Sequence, residues 1–264
     1  MKLGTMIQEP LGQKRNWRLL YAGLTMLVCA ANAGPANGGL DFAITADYYG
    51  KYIWRGQNIN NRSVFQPAIS VNACGFTGSI WGNLDLTNKN DNKGEFSEFD
   101  YTLDYTSALP GVEELTFSLG TIYYRFPNTA YHPTAELYAG LSLAMPLSPS
   151  IRVYRDIDEI DGSYLQLGLG HKFERLHKWA EDCYCDLQFG ASIGWGNSAY
   201  NNGYFGINHS EFNDLTLSAG LPVCIGSWTI KPSVNYSTML SGEVRGATAK
   251  SDNIWVGIGL QKSF

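Results

Sequence analysis

Asp41-Phe42-Ala43-Ile44-Thr45-Ala46-Asp47-Tyr48-Tyr49-Gly50-Lys51-Tyr52-Ile53-Trp54-Arg55 is the stretch on which the fold turns. Its even positions run Phe42, Ile44, Ala46, Tyr48, Gly50, Tyr52 and Trp54; its odd ones run Asp41, Ala43, Thr45, Asp47, Tyr49, Lys51, Ile53 and Arg55. Side chains alternate across a strand, so a period of two gives one greasy face and one mostly polar face. Strands of soluble sheets run to about five or six residues, whereas about 9–11 tilted residues cross a bilayer. A strand of this length favours the membrane.

The pattern recurs to the end of the chain. Strands are expected near 41–55, 63–73, 76–87, 97–106, 113–125, 134–143, 150–156, 163–173, 184–195, 212–221, 228–239 and 252–264. Ile80, Leu84 and Leu86 fall on the lipid face against Ser79, Asn83 and Asp85 on the other; Phe99, Tyr101, Leu103 and Tyr105 do the same against Glu98, Asp100, Thr102 and Asp104. Leu165, Leu167 and Leu169 flank Gln166 in the same way. The segment at 150–156 carries the weakest alternation. An even strand number places both termini inside, and the connections then divide into longer external ones (56–62, 88–96, 126–133, 157–162, 196–211, 240–251) and internal ones that are mostly short (74–75, 107–112, 144–149, 174–183, 222–227). Outer-membrane barrels show this asymmetry. Phe42, Phe76 and Trp228 lie at inner strand ends and Trp54, Tyr123 and Trp195 toward outer ones, as two interfacial girdles require. The expected fold is an all-β, antiparallel up-and-down transmembrane barrel of about twelve strands.

Composition agrees. Tyr (16), Phe (12), Trp (7) and Gly (29) are abundant and charged residues make up only 16%, yet mean hydropathy is −0.17. Half-greasy strands around a polar lumen give that combination. The net charge of −5 argues against a nucleic-acid partner. Lys14, Arg15 and Arg18 precede an apolar run from Leu19 to Ala31, then Ala31-Asn32-Ala33 before Gly34. That reads as a secretory signal over residues 1–33 with a small-residue cleavage site, leaving a barrel domain at 34–264.

A more specific likeness lies in the first three strands. Ala46-Asp47-Tyr48-Tyr49-Gly50-Lys51-Tyr52-Ile53-Trp54-Arg55-Gly56-Gln57, then Gln66-Pro67-Ala68, then Gly75-Phe76-Thr77-Gly78-Ser79-Ile80-Trp81-Gly82-Asn83 resembles the opening of the TorF-like porin family. Trp54 stands where that family commonly has Phe, and Ala46 where it has Ser. The likeness covers roughly residues 46–86 and implies an exported barrel with a porin role, without catalytic residues. The last strand ends on Phe264, preceded at alternate positions by Leu260, Ile258, Val256 and Ile254. This resembles the terminal signal read by the barrel-assembly machinery, from which Lys262 departs.

Charged positions of lumen parity are the candidates for function, because a pore works by presenting polar groups and a field to solute. Asp41, Asp47, Asp85, Glu98, Asp100, Asp104, Glu136 and Asp186 outnumber Lys51, Arg55, Lys172 and Lys231, which predicts a mild cation preference for small polar solutes. The same charges could instead pair and plug the lumen. Cys74, Cys183, Cys185 and Cys224 all fall at internal ends, where a disulfide staple between neighbouring turns is expected ahead of free thiols or, with His177, a metal site. Asp156, Asp158, Glu159 and Asp161 form an acidic knot whose spacing fits no calcium loop, so a solvated loop is expected. His132, His171, His177 and His209 accompany no G-x-S-x-G elbow, leaving a hydrolase as the minor alternative. The segment 196–206 suits an adhesive tip or a loop folded inward. No metal or cofactor is expected, and the partners are outer-membrane lipid, lipopolysaccharide and the assembly machinery; the sequence does not set the oligomeric state.

Overall fold

The computed structural model describes residues 40–264; the signal segment and cleavage site expected from the sequence lie outside them. Its elements are β1 (Asp41–Tyr49), β2 (Tyr52–Trp54), β3 (Gln57–Asn60), β4 (Val64–Ala73), β5 (Phe76–Asp85), β6 (Phe96–Leu109), β7 (Val112–Arg125), β8 (Thr134–Leu143), β9 (Ser150–Asp156), β10 (Ser163–Ala180), β11 (Cys183–Gly196), α1 (Ser198–Phe205), β12 (Glu211–Gly220), β13 (Val223–Ile225), β14 (Trp228–Met239), α2 (Gly242–Ala247) and β15 (Asp252–Ser263). β12 and β13 both lie between β11 and β14 and form one stave, interrupted at Leu221-Pro222. With β2 and β3 set apart as their own small sheet, twelve antiparallel staves remain, closed by β1 against β15. Closure leaves no edge, so the backbone amides within hydrocarbon find partners in the ladder.

Parity holds around the wall. Ile44, Ile80, Leu103, Leu119, Leu137, Leu167, Leu217 and Ile254 are exposed on the outside, while Ser79, Asn83, Asp85, Glu98, Asp100 and Glu136 are buried within. A water-soluble sandwich would bury the first set. No helix among the described residues is long and apolar enough to cross a membrane, so crossing falls to the strands. Phe76 and Trp228 are exposed at the inner end, and Phe264 packs on Phe42 at a centroid separation of 5.4 Å while its amide donates to the Phe42 carbonyl at 2.9 Å. The weakly alternating seventh strand forms at Ser150–Asp156, secured by neighbours on both sides.

Three expectations are corrected. The first strand stops at Tyr49 rather than 55, where the Gly50 amide makes a last ladder bond to the Val256 carbonyl (3.0 Å) and the chain turns away. The connection expected at 174–183 is instead ladder: β10 runs on to Ala180 and pairs with β11 down to Cys183, a hairpin extension closed by Glu181 and Asp182. The internal loop expected at 222–227 holds β13 over Val223–Ile225.

Candidate lumen constriction

β2 and β3 make a hairpin closed by the two residues Arg55 and Gly56, with Trp54 opposite Gln57. Both turn residues have positive φ, +44° and +77°, the pattern of a type I′ turn, whose twist matches its strands. Glycine takes that conformation freely, whereas an arginine there costs about 1–2 kcal/mol. A Cβ on Gly56 would stand 2.5 Å from the Asp214 Cβ and 2.9 Å from the Met239 Sδ, so the tip is pressed against β12 and β14.

What holds the tip is Arg55. Its Nη1 and Nη2 donate to the Glu136 Oε1 and Oε2, both at 2.7 Å, and the two side chains are 1% and 2% exposed. The paired fork matches the carboxylate in direction as well as charge. The Tyr124 hydroxyl donates to the Glu136 Oε2 at 2.8 Å, and the guanidinium lies 4.3 Å from the Tyr154 ring centroid and 4.5 Å from those of Trp54 and Tyr164. Aromatic faces carry negative charge density and help the site hold a cation away from water. The Tyr164 hydroxyl donates in turn to the Asp214 Oδ1 at 2.8 Å. Glu136, Tyr154 and Tyr164 sit on β8, β9 and β10, and β9 is the stave opposite β1 in the closed order. The hairpin therefore spans the lumen from wall to wall.

The fifth external loop closes over it. In α1, capped by the Asn197 side chain accepting from the Tyr200 amide (2.9 Å), Tyr200 and Asn201 are buried and Tyr204 meets Trp54 at 5.3 Å. Of the two expectations for 196–206, the structure takes the inward fold. Nearer β1, Tyr52 packs on Trp81 (5.7 Å) and the Asn58 amide donates to the Asn253 Oδ1 (2.5 Å). On the wall behind, Gln66 donates to Asn83, which donates to Asp85 and Ser97, at 2.8–2.9 Å.

Burial divides the lumen into two zones. Toward the outer end Gln66, Asn83, Asp85, Glu98, Asp100, Glu136, Asn213, Asp214 and Asn253 are buried, with Arg55 the one buried arginine or lysine among the described residues. Toward the inner end Asp47, Asp104, Arg152 and Lys231 stay partly accessible. Asp104 accepts from Tyr138 (2.5 Å) and Thr106 (2.7 Å), and Arg152 lies over the Tyr138 ring at 4.9 Å. Asp47 and Tyr49 lie where Cβ atoms on Gly259 and Gly257 would be, so β15 is glycine-lined there. Asp41 is exposed at the inner end; Asp186 is buried there, beside Lys172 at 3.7 Å, which also pairs with Glu174 at 2.8 Å.

Polar groups line both sides of the hairpin seam without bonding to other protein groups. Four unpaired buried donors lie on it (the Trp54 Nε1, Arg55 Nε, Gln57 Nε2 and Asn60 Nδ2), and unpaired acceptors lie on the wall at the Asp85 Oδ2, Asp100 Oδ1 and Asn213 Oδ1. The plug is gripped at its tip by the Arg55–Glu136 pair and tied along one flank by the Asn58–Asn253 bond.

Lys51 and Arg55, expected on a lumen-lining strand, belong to the inserted connection, and Trp54 lies inside the barrel rather than in an outer girdle. The extended pattern at 50–55 continues because β2 is itself extended. No disulfide joins Cys74, Cys183, Cys185 or Cys224 in this structure. Register disfavours the staple between neighbouring turns, since Cys224 stands opposite Tyr184 and so projects to the other face from Cys183 and Cys185. His177 stands opposite Cys185, yet its ring packs on Trp179 at 4.8 Å. In the acidic knot, the Asp156 Oδ1 accepts from the amides of Asp158 and Ile160 at 3.0 and 3.1 Å, a turn that uses the carboxylate internally. Asp156, read in the sequence as part of a solvated acidic loop, is instead buried at the end of β9. Arg152, Asp214 and the tyrosine cage were not among the expected site residues; for Arg152 and Asp214 the parity rule alone marks them.

No protein-family model matches the chain, nor does any curated protein. Among solved structures, the NanC porin aligns with a TM-score of 0.50 at 12% identity, covering 84% of this chain and 98% of that one. LpxR from Salmonella typhimurium aligns at 0.52 with 10% identity, covering 84% and 99%. Identities this low speak to fold alone. A closed twelve-stave barrel with an apolar exterior and a polar interior belongs to the outer-membrane β-barrel class, and the chain is placed in the bacterial outer membrane.

Proposed function

We propose that this barrel is a porin whose outer mouth is narrowed by its first external hairpin, passing small polar solutes or ions passively without cofactor or catalysis. The observation that carries the reading is the wall-to-wall insertion of Tyr52–Asn60 above an accessible, polar inner zone. A barrel built only as an anchor has no need of a water-reached vestibule below a separately held plug. The likeness of residues 46–86 to the TorF-like porins supports the same role. The surplus of acids over lysine and arginine at positions of lumen parity supports a mild preference for cations. Phe264, exposed at the inner rim, serves the assembly machinery, and the apolar band meets lipid and lipopolysaccharide.

The test is planar-bilayer recording on the parent barrel and on a variant with residues 51–61 replaced by a short Gly-Ser link. Small or intermittent currents in the parent and larger, steady ones in the variant are expected, with a reversal potential favouring cations in a salt gradient. Silence from both, in barrels that migrate as folded, would sink the proposal.

A further inference from the structure

We infer that the outer mouth carries a binding site for a divalent first-row transition ion, formed by His209, Glu211 and Glu243. The His209 Nε2 lies 3.1 Å from the Glu211 Oε1 and 3.6 Å from the Glu243 Oε1, and all three ligand atoms fall within 4.8 Å of one another. Ions of the zinc type hold nitrogen and oxygen at about 2.0–2.2 Å, which puts neighbouring ligands about 3.0–3.5 Å apart. The two nitrogen–oxygen separations are close to the edges of such a polyhedron. Both carboxylates also converge on one nitrogen. A proton on Nε2 points along a single direction and serves one oxygen well, whereas a cation seated among the three serves both.

The backbones are fixed by groups outside the trio. The buried Asn201 side chain donates to the His209 carbonyl at 2.9 Å, Glu211 is in ladder register with Gly196, and Ser241 caps the turn bearing Glu243 above the fully buried Val244. The side chains remain 48%, 30% and 64% exposed, so an ion has open access and keeps positions for water. One imidazole with two carboxylates suits zinc, nickel or cobalt better than the all-oxygen sets that select calcium or magnesium. Glu243 comes from α2, Glu211 from the first residue of β12 and His209 from the connection just before it, so the ion would tie the outer end of β12 to the sixth external connection. His132, 3.4 Å from Glu159, has a single acid and serves as an internal control.

Calorimetric titration of the full mature barrel in detergent with Zn2+ tests the site. H209A is expected to lose one saturable equivalent relative to the parent, whatever the cysteines bind in both, and E211Q and E243Q to weaken that equivalent by about tenfold or more. H132A should match the parent. Glu243, exposed on a short helix, supplies a variant that folds irrespective of the others. Parent-like stoichiometry and affinity in H209A or E243Q, or no saturable binding in the parent, overturns the inference.

Discussion

Arg55 concentrates the chemistry of the constriction in one side chain. Removing one partner of a buried ion pair strands the other charge and costs about 3–5 kcal/mol, whereas removing both is often close to neutral. Arg55→Ala should therefore release the hairpin tip, because Glu136 is left buried among Tyr124 and the barrel wall. Longer open times in single-channel records are the expected result, with heat-modifiable gel migration unchanged because no stave is touched. Arg55→Met combined with Glu136→Leu should restore much of the closed time, and a double variant that gates like Arg55→Ala would show that the pair does not hold the plug. Gly56→Ala should resemble Arg55→Ala for a different reason, since its Cβ meets Asp214 and Met239.

At the scale of elements, the barrel strands were legible because lipid on one side and polar groups on the other impose a period of two on every stave. The limits of that signal are equally physical. Alternation reports an extended chain and says nothing of its neighbour, so residues 50–55 read as a continuation of β1 although they leave the sheet at Gly50. The Arg55-Gly56 pair between Trp54 and Gln57 was the available sign of a two-residue turn, weakened because arginine seldom occupies a left-handed position. The cysteines show the same limit: their spacing suggested a staple, and only register, which the sequence leaves open, sends Cys224 to the opposite face. Denaturing alkylation of a chain comprising residues 34–264, without reductant, should therefore modify all four of its thiols, Cys74, Cys183, Cys185 and Cys224. Two modified thiols by mass spectrometry would mean that the inner-end register differs from the one described.

The whole molecule rests on opposite solvents meeting adjacent residues. Near the middle of β12, Leu217 is 42% exposed on the outside while its neighbour Ser218 faces the lumen, so one step along the chain crosses from hydrocarbon to the polar interior. A charge on the lipid face at mid-depth costs about 2–4 kcal/mol. Leu217→Arg should lower unfolding stability in lipid vesicles by that order, and Ser218→Arg by much less, because a lumen guanidinium can reach water and the acids of the inner zone. Denaturant titration followed by tryptophan emission measures both. Equal losses would place the two side chains in one environment, and a barrel in which inside and outside are energetically alike has no lumen to gate.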